Sequence, residues 1–272
     1  MPRRFQLTNK NAAVYDLNTP GHYFYEPEGL GWGEEASLLR LGQTYLVTEE
    51  FVQQPVVSGF ILFHSYQEYD NFLKFIQVGG LVLGYMPISS WRYINCTIQL
   101  GKTEIDHETL RLRCEVVFSG TSQWYERVSV QPSAGTIPDG AKLYNYRYPY
   151  KYAQGAAGTI SVSNGSLSSY FRLKIAGLAE NPVWRLYVAG VIQATGEVDA
   201  TIPLGHSLIV NTRPSSMEIA EYDQNGEFYR DLYGFSNFAT ERLFSLPPGE
   251  STMAVADDNG TPTATLEVFR RV

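Results

Sequence analysis

Four histidines, two cysteines and several paired acids are the residues whose chemistry this chain could put to work, and their spacing argues against most of it. His22, His64, His107 and His206 are scattered, and none stands four residues from another beside an acid, the spacing that lets one helix face hold a metal. Cys96 and Cys114 have no nucleophile context, and a Gly-x-Ser-x-Gly elbow is missing. Two cysteines make no disulfide framework, so both are read as small apolar core residues. The acid pairs Glu34/Glu35, Glu49/Glu50 and Asp257/Asp258 are adjacent in sequence, and neighbours on a strand point to opposite faces, so they cannot flank one bond as a glycosidase's carboxylates do. Asp223 to Gly226 and Asp257 to Gly260 resemble fragments of calcium loops but lack the run of oxygen ligands ending in a bidentate glutamate; they read as turns. Gly29-Leu-Gly-Trp-Gly33 lacks the strand-loop-helix setting and the Gly-Lys-Ser/Thr ending of a phosphate cradle, and reads as a loop pinned by Trp32. No catalytic residue, metal or cofactor is expected.

Charged residues are 18% of the chain, against a usual share of roughly 25%, which fits a surface partly covered by other molecules. There are 19 tyrosines, a side chain that suits interfaces and strand faces alike. The net charge of −7 is evenly spread: residues 1 to 135 carry 10 basic and 14 acidic side chains, the remainder 11 and 14, so neither half offers a footprint for nucleic acid. The amino terminus has no apolar segment of a secretory signal and no run approaches the ~20 apolar residues of a membrane span, so synthesis and folding in a cytosol are expected.

The elements that must carry any surface are mostly strands. Phe5 to Asn9 and Ala12 to Leu17 read as short strands. Tyr45 to Val52 and Val56 to Phe63, rich in β-branched and aromatic residues and separated by Gln53, Gln54 and Pro55, read as a hairpin, with Gly59 at a bulge or close approach. Ser65 and Glu68 form a capping box, and Tyr69, Phe72, Leu73 and Ile76 fall at i, i+3, i+4 and i+7, so a helix starts here with an apolar stripe and ends at Gly79. Leu81 to Met86, Trp91 to Leu100 and Leu110 to Phe118 follow as strands whose alternation turns both cysteines to a core. The Pro/Gly/Ser-rich stretch Gln131 to Ala141 marks a boundary, giving domains of residues 1–135 and 136–272. Beyond it Tyr144, Tyr146, Tyr148, Tyr150 and Tyr152 alternate with other residues, so an extended chain sets five phenols on one face, a candidate aromatic contact surface or a half-buried first strand. Short strands follow, with turns at Asn225-Gly226 and Asp257 to Gly260, and a β-sandwich is the simplest second domain.

Taken in order, these pieces resemble one family, the distal tail proteins of long-tailed bacteriophages. The wording that carries the resemblance is Gly59-Phe-Ile-Leu-Phe63, the helix Tyr66 to Ile76, Leu81-Val-Leu-Gly-Tyr85 and Trp124-Tyr125 in the first half, and Leu204 to Thr212, Ile219 to Tyr222 and Arg242-Leu-Phe-Ser-Leu-Pro-Pro-Gly249 in the second. The resemblance implies a mainly β protein with one amphipathic helix: a ring-forming, tail-tube-like first domain and an outer galectin-like sandwich. It implies a structural virion protein, a hexameric hub between the tail tube and the tail-associated tip protein, with receptor-binding or baseplate proteins at its periphery. Phe51, Val52, Val56 and Val57, placed near the tip of the expected hairpin, are the candidate belt to a neighbouring subunit. The galactose-binding pattern of galectins is not matched: Asn211-Thr-Arg213 is present with His206 displaced, and Trp184-Arg185 lacks the acid. A carbohydrate-binding module resting on the five tyrosines is the alternative.

Overall fold

The computed structural model describes residues 3–31, 33–106, 111–130, 158–165, 167–240, 242–260 and 262–271, with the backbone alone at 50, 51, 102 and 215. Two compact units divide between Glu126 and Arg127. The boundary expected at 135/136 and the five tyrosines from 144 to 152 lie outside the described residues.

The first unit runs β1 (Arg4–Thr8), β2 (Val14–Asp16), β3 (His22–Glu28), β4 (Glu34–Leu41), β5 (Thr44–Val52), β6 (Val56–Phe63), α1 (Tyr66–Gln77), β7 (Val82–Met86), β8 (Arg92–Ile105), β9 (Leu112–Gly120) and the start of β10 (Tyr125–Val130). Antiparallel pairing gives the order β2-β1-β7-β8 and the order β3-β6-β9-β8, the long β8 belonging to both. Period-two burial explains the arrangement: Val57, Ile61 and Phe63 on β6 and Cys114, Val116 and Phe118 on β9 turn inward with Phe5, Leu7, Phe24, Ile94 and Phe72. Gly59 is a close approach, because a Cβ there would sit 2.7 Å from the Phe24 ring and 2.9 Å from the Tyr25 carbonyl.

The helix begins where its caps require. The Glu68 N–H donates to Ser65 Oγ at 3.3 Å, and the Glu68 carboxylate reaches back to the His64 N–H at 3.0 Å, one residue beyond the Ser65 N–H that the box normally satisfies. Gly79, at φ +76°, follows the C-cap Val78. Of the expected stripe, Phe72 is buried and Tyr69 and Ile76 pack on the core; Phe75 joins them rather than Leu73, drawn in by Tyr15, whose ring lies 5.2 Å away.

One expectation is overturned. Tyr45–Val52 and Val56–Phe63 are both strands, but they do not form a hairpin with each other. β5 pairs with β4, and β6 pairs with β3 and β9. With every second side chain in the core, β6 is a central strand and takes a neighbour on each side, supplied by segments distant in sequence. β4, for which no strand was expected, is half of the true hairpin.

The second unit contains β11 (Thr159–Asn164), β12 (Tyr170–Ala176), β13 (Ala179–Glu180), β14 (Val183–Val188), β15 (Val191–Glu197), β16 (Thr201–Ile202), β17 (Ser207–Asn211), β18 (Glu218–Tyr222), β19 (Phe228–Asp231), β20 (Gly249–Ala256) and β21 (Ala264–Arg271). Its strands order as β19-β18-β17-β12-β21 and β11-β20-β14-β15, and their inward faces enclose one core around Phe171, Trp184, Leu208, Met253 and Leu266. Trp184 lies so close over Gly196 that a Cβ there would be 2.2 Å from the indole, and its N–H donates to the Arg242 carbonyl at 3.2 Å.

Candidate interaction surface

The residues singled out for chemistry take structural posts. Cys96 and Cys114 are buried in the first core, and burial pushes the Cys96 thiol up to about 12. His22 stacks on Tyr15 and bonds to the Asp16 carbonyl, His64 stands beside the helix N-cap, and His107 lies outside the described residues. His206 bonds through Nδ1 to Glu221, a fully buried carboxylate whose other oxygen accepts from Arg230 Nε at 2.7 Å. That pairing is what a buried charge requires, and 15 residues separate the histidine from the glutamate, so nothing local announces it. Among the described residues, no group of three or more His, Cys, Asp or Glu is placed to hold a metal ion.

The feature without an internal purpose is the β4-β5 hairpin, here called the arm. It is a two-stranded ribbon outside both sheets of its unit, and every described side chain from Glu34 to Glu49 is exposed. Its base is closed by the Gln53 N–H on the Gly33 carbonyl at 2.9 Å. Its distal half carries Leu38, Leu39, Leu41, Tyr45, Leu46 and Val47, each between 46% and 65% exposed. A lone two-stranded ribbon is marginally stable in water, and contiguous apolar surface of this kind marks a contact site.

The expected belt residues sit at the other end. Phe51 and Val52 are in β5 at the arm's base, and Val56 opens β6 with 43% exposure. Val57 is fully buried in its own unit's core, so it has no surface to give a neighbour. The correction follows from the pairing: the turn of the hairpin is between Leu41 and Thr44, not at Gln53 to Pro55. Leucines in an exposed ribbon were the missed signal, hidden by acids at 34, 35, 49 and 50.

Beside the arm's base is an open cleft of about 440 Å³, lined among others by Leu30, Val52, Val56, Tyr85, Arg92 and Trp124. Gly29, at φ +76°, closes one wall, where a Cβ would collide with the Val56 carbonyl at 1.8 Å. The buried indole N–H of Trp124 meets no acceptor among the described residues. No helix among the described residues is long and apolar enough to cross a membrane.

Comparison with known proteins agrees with this picture of a contact protein. Residues 4–121 match the family model described as distal tail protein, N-terminal domain. The fold matches a subunit of the phage P2 baseplate in its activated conformation with calcium, at a TM-score of 0.72 and 15% identity, covering 100% of this chain and 99% of that one. The strontium form of that baseplate matches equally, with a TM-score of 0.72. The SPP1 Dit protein, described as a paradigm of the hub adsorption apparatus in phages infecting Gram-positive hosts, matches at a TM-score of 0.57 and 10% identity, over 97% of this chain and 98% of that one. No curated protein sequence matches. Residues 4–121 therefore carry the N-terminal domain of the distal tail proteins, and the fold of the whole chain is that of a baseplate subunit and of a tail hub protein.

Proposed function

We propose that the chain forms a hexameric ring at the distal end of a phage tail, set between the tail tube and the tail-associated tip protein, with receptor-binding or baseplate proteins held at its periphery. The observation that carries this reading is the arm: a ribbon exposed along its length, apolar toward its tip, on a chain with the fold of hub subunits. Such a ribbon gains stability only when another molecule covers it. Since the arm and the surface that receives it are different patches, the contact is heterologous, and heterologous contacts that close produce rings.

The belt in this reading is the arm from Glu34 to Val52, with Val56 at its foot. The first unit forms the ring. The second is the outer, galectin-like domain, a role that its two-sheet sandwich supports. The low share of charged residues is consistent with a subunit covered on several sides. The carbohydrate alternative rests on the second domain and on tyrosines 144 to 152, which lie outside the described residues.

Gold-labelled antibody against this chain tests the placement on phage particles. Label confined to the end of the tail farthest from the capsid is the expected result. Label along the tube, or on the capsid, would remove the hub reading.

A further inference from the structure

The chain holds three Asn-Gly pairs, Asn164-Gly165, Asn225-Gly226 and Asn259-Gly260, and the fold treats each differently. Glycine after asparagine leaves its backbone nitrogen sterically free to attack the preceding side-chain amide, a reaction that makes asparagine a thermolabile residue. The step needs the Gly nitrogen within about 3–3.5 Å of the Asn Cγ, with both groups released from their hydrogen bonds and water at hand. Asn164 fails this test, being buried with its side-chain amide donating to the carbonyls of Leu246 at 3.2 Å and Pro247 at 2.9 Å. Asn225 is exposed, but Asp223 holds its turn. The Asp223 carboxylate accepts from the Asn225 N–H at 2.8 Å, the Glu227 N–H at 2.9 Å and the Asn225 side-chain amide at 3.2 Å, and the Asp223 carbonyl accepts from the Gly226 N–H at 3.1 Å.

We infer that Asn259 is a self-modification site, where the chain converts its own asparagine to aspartate and isoaspartate through a succinimide. Asn259 and Gly260 are both exposed, and a Cβ at Gly260 would meet nothing within 4 Å, so water reaches the pair. The hold on the reacting groups is also the weakest of the three: the Asn259 side-chain amide donates to Glu180 Oε2 at 3.4 Å and the Gly260 N–H to the Asp257 carbonyl at 3.3 Å, both longer than usual. In the reaction the Gly260 nitrogen gives up its proton and bonds to Asn259 Cγ. The Cγ–Nδ2 bond breaks, and ammonia leaves with one proton added. Water then cleaves one of the two ring C–N bonds, giving aspartate, or isoaspartate with the chain running through the side-chain carbon. Aspartate sets a carboxylate against that of Glu180, where the amide had donated. Isoaspartate lengthens the backbone of a turn closed by the Asp257 N–H on the Gly260 carbonyl at 3.1 Å. That turn is tied to β13, because the Asp258 N–H donates to the Glu180 carbonyl at 2.9 Å and the Asn181 amide to the Asp258 carboxylate at 2.8 Å. The modification therefore loosens the tie to β13, whose Ala179 is buried in the second core.

Peptide mapping by mass spectrometry tests this on the full chain, sampled over days in warm, mildly alkaline buffer, with electron-transfer fragmentation to tell isoaspartate from aspartate. The native chain should convert Asn259 at least about tenfold faster than Asn164, a barrier difference of about 1.4 kcal/mol, and also faster than Asn225. In denaturant, where only the Asn-Gly sequence is left, the three rates should converge. The N259Q variant should yield no acid product at this turn on the same timescale, since its longer side chain would have to close a larger ring. N259D, a stand-in for the aspartate product, should exchange the Asp258 amide hydrogen faster than the parent while keeping its circular dichroism. Conversion of Asn164 or Asn225 in the native chain as fast as Asn259 would overturn the assignment, as would an Asn259 that converts in denaturant and not in the native chain. Unaltered exchange at Asp258 in N259D would overturn the loosening of β13.

Discussion

At the residue scale, the groups that look reactive are held neutral or paired. Cys96 and Cys114 were legible as core residues because Ile94, Cys96 and Ile98 alternate, as do Leu112, Cys114 and Val116, and a thiol is small enough to pack as a hydrophobe. Burial raises Cys96 to about 12, and burial, followed by the nearby Glu68, raises Tyr15 to about 12. Both shifts favour the neutral form in the folded chain. Their contribution to stability is therefore complete below the unfolded pKa values, near 9 for the thiol and 10 for the phenol, and is lost as pH climbs from there toward 12. An aromatic disulfide reagent at pH 8 should leave both thiols unmodified in the native protein and titrate two per chain in denaturant. Rapid modification of the native chain would contradict the burial. The Glu221, His206 and Arg230 cluster was not legible, since its members come from separate strands and loops and only the folded sandwich brings them together.

At the scale of elements, signals carried within about a dozen residues were readable and those set by partners were not. The capping box and apolar stripe located α1, while only packing against Tyr15 could show that Phe75 rather than Leu73 completes the buried side. The strand character of Tyr45 to Val52 and Val56 to Phe63 was plain in their composition, yet their pairing was not. A strand's neighbour is a tertiary fact, and β6 found its neighbours in β3 and β9. The consequence is an arm with no part in either core. Because the Gln53 N–H to Gly33 carbonyl bond already closes its base at 2.9 Å, replacing Glu34 to Val52 by a short Gly/Ser turn should leave the thermal transition of the first unit within a few degrees of the parent. The same excision should abolish self-association. A large drop in Tm would show that the arm supports its own unit rather than a neighbour.

At the scale of the whole molecule, the sequence carried the two-part β organisation and the family resemblance, while the place of the contact surface emerged only from burial and register. Acids at positions 34, 35, 49 and 50 flank leucines and a valine that have no core to enter. Exposed apolar side chains are tolerated singly; a whole ribbon of them implies an assembly in which they are covered. Closure of the chain into a ring is tested most directly by the mass of the purified protein measured without denaturant. The expected result is a closed oligomer of six copies, imaged as six-fold rings, that persists on dilution. A monomer at high concentration, with the arm intact and the chain folded, would contradict it.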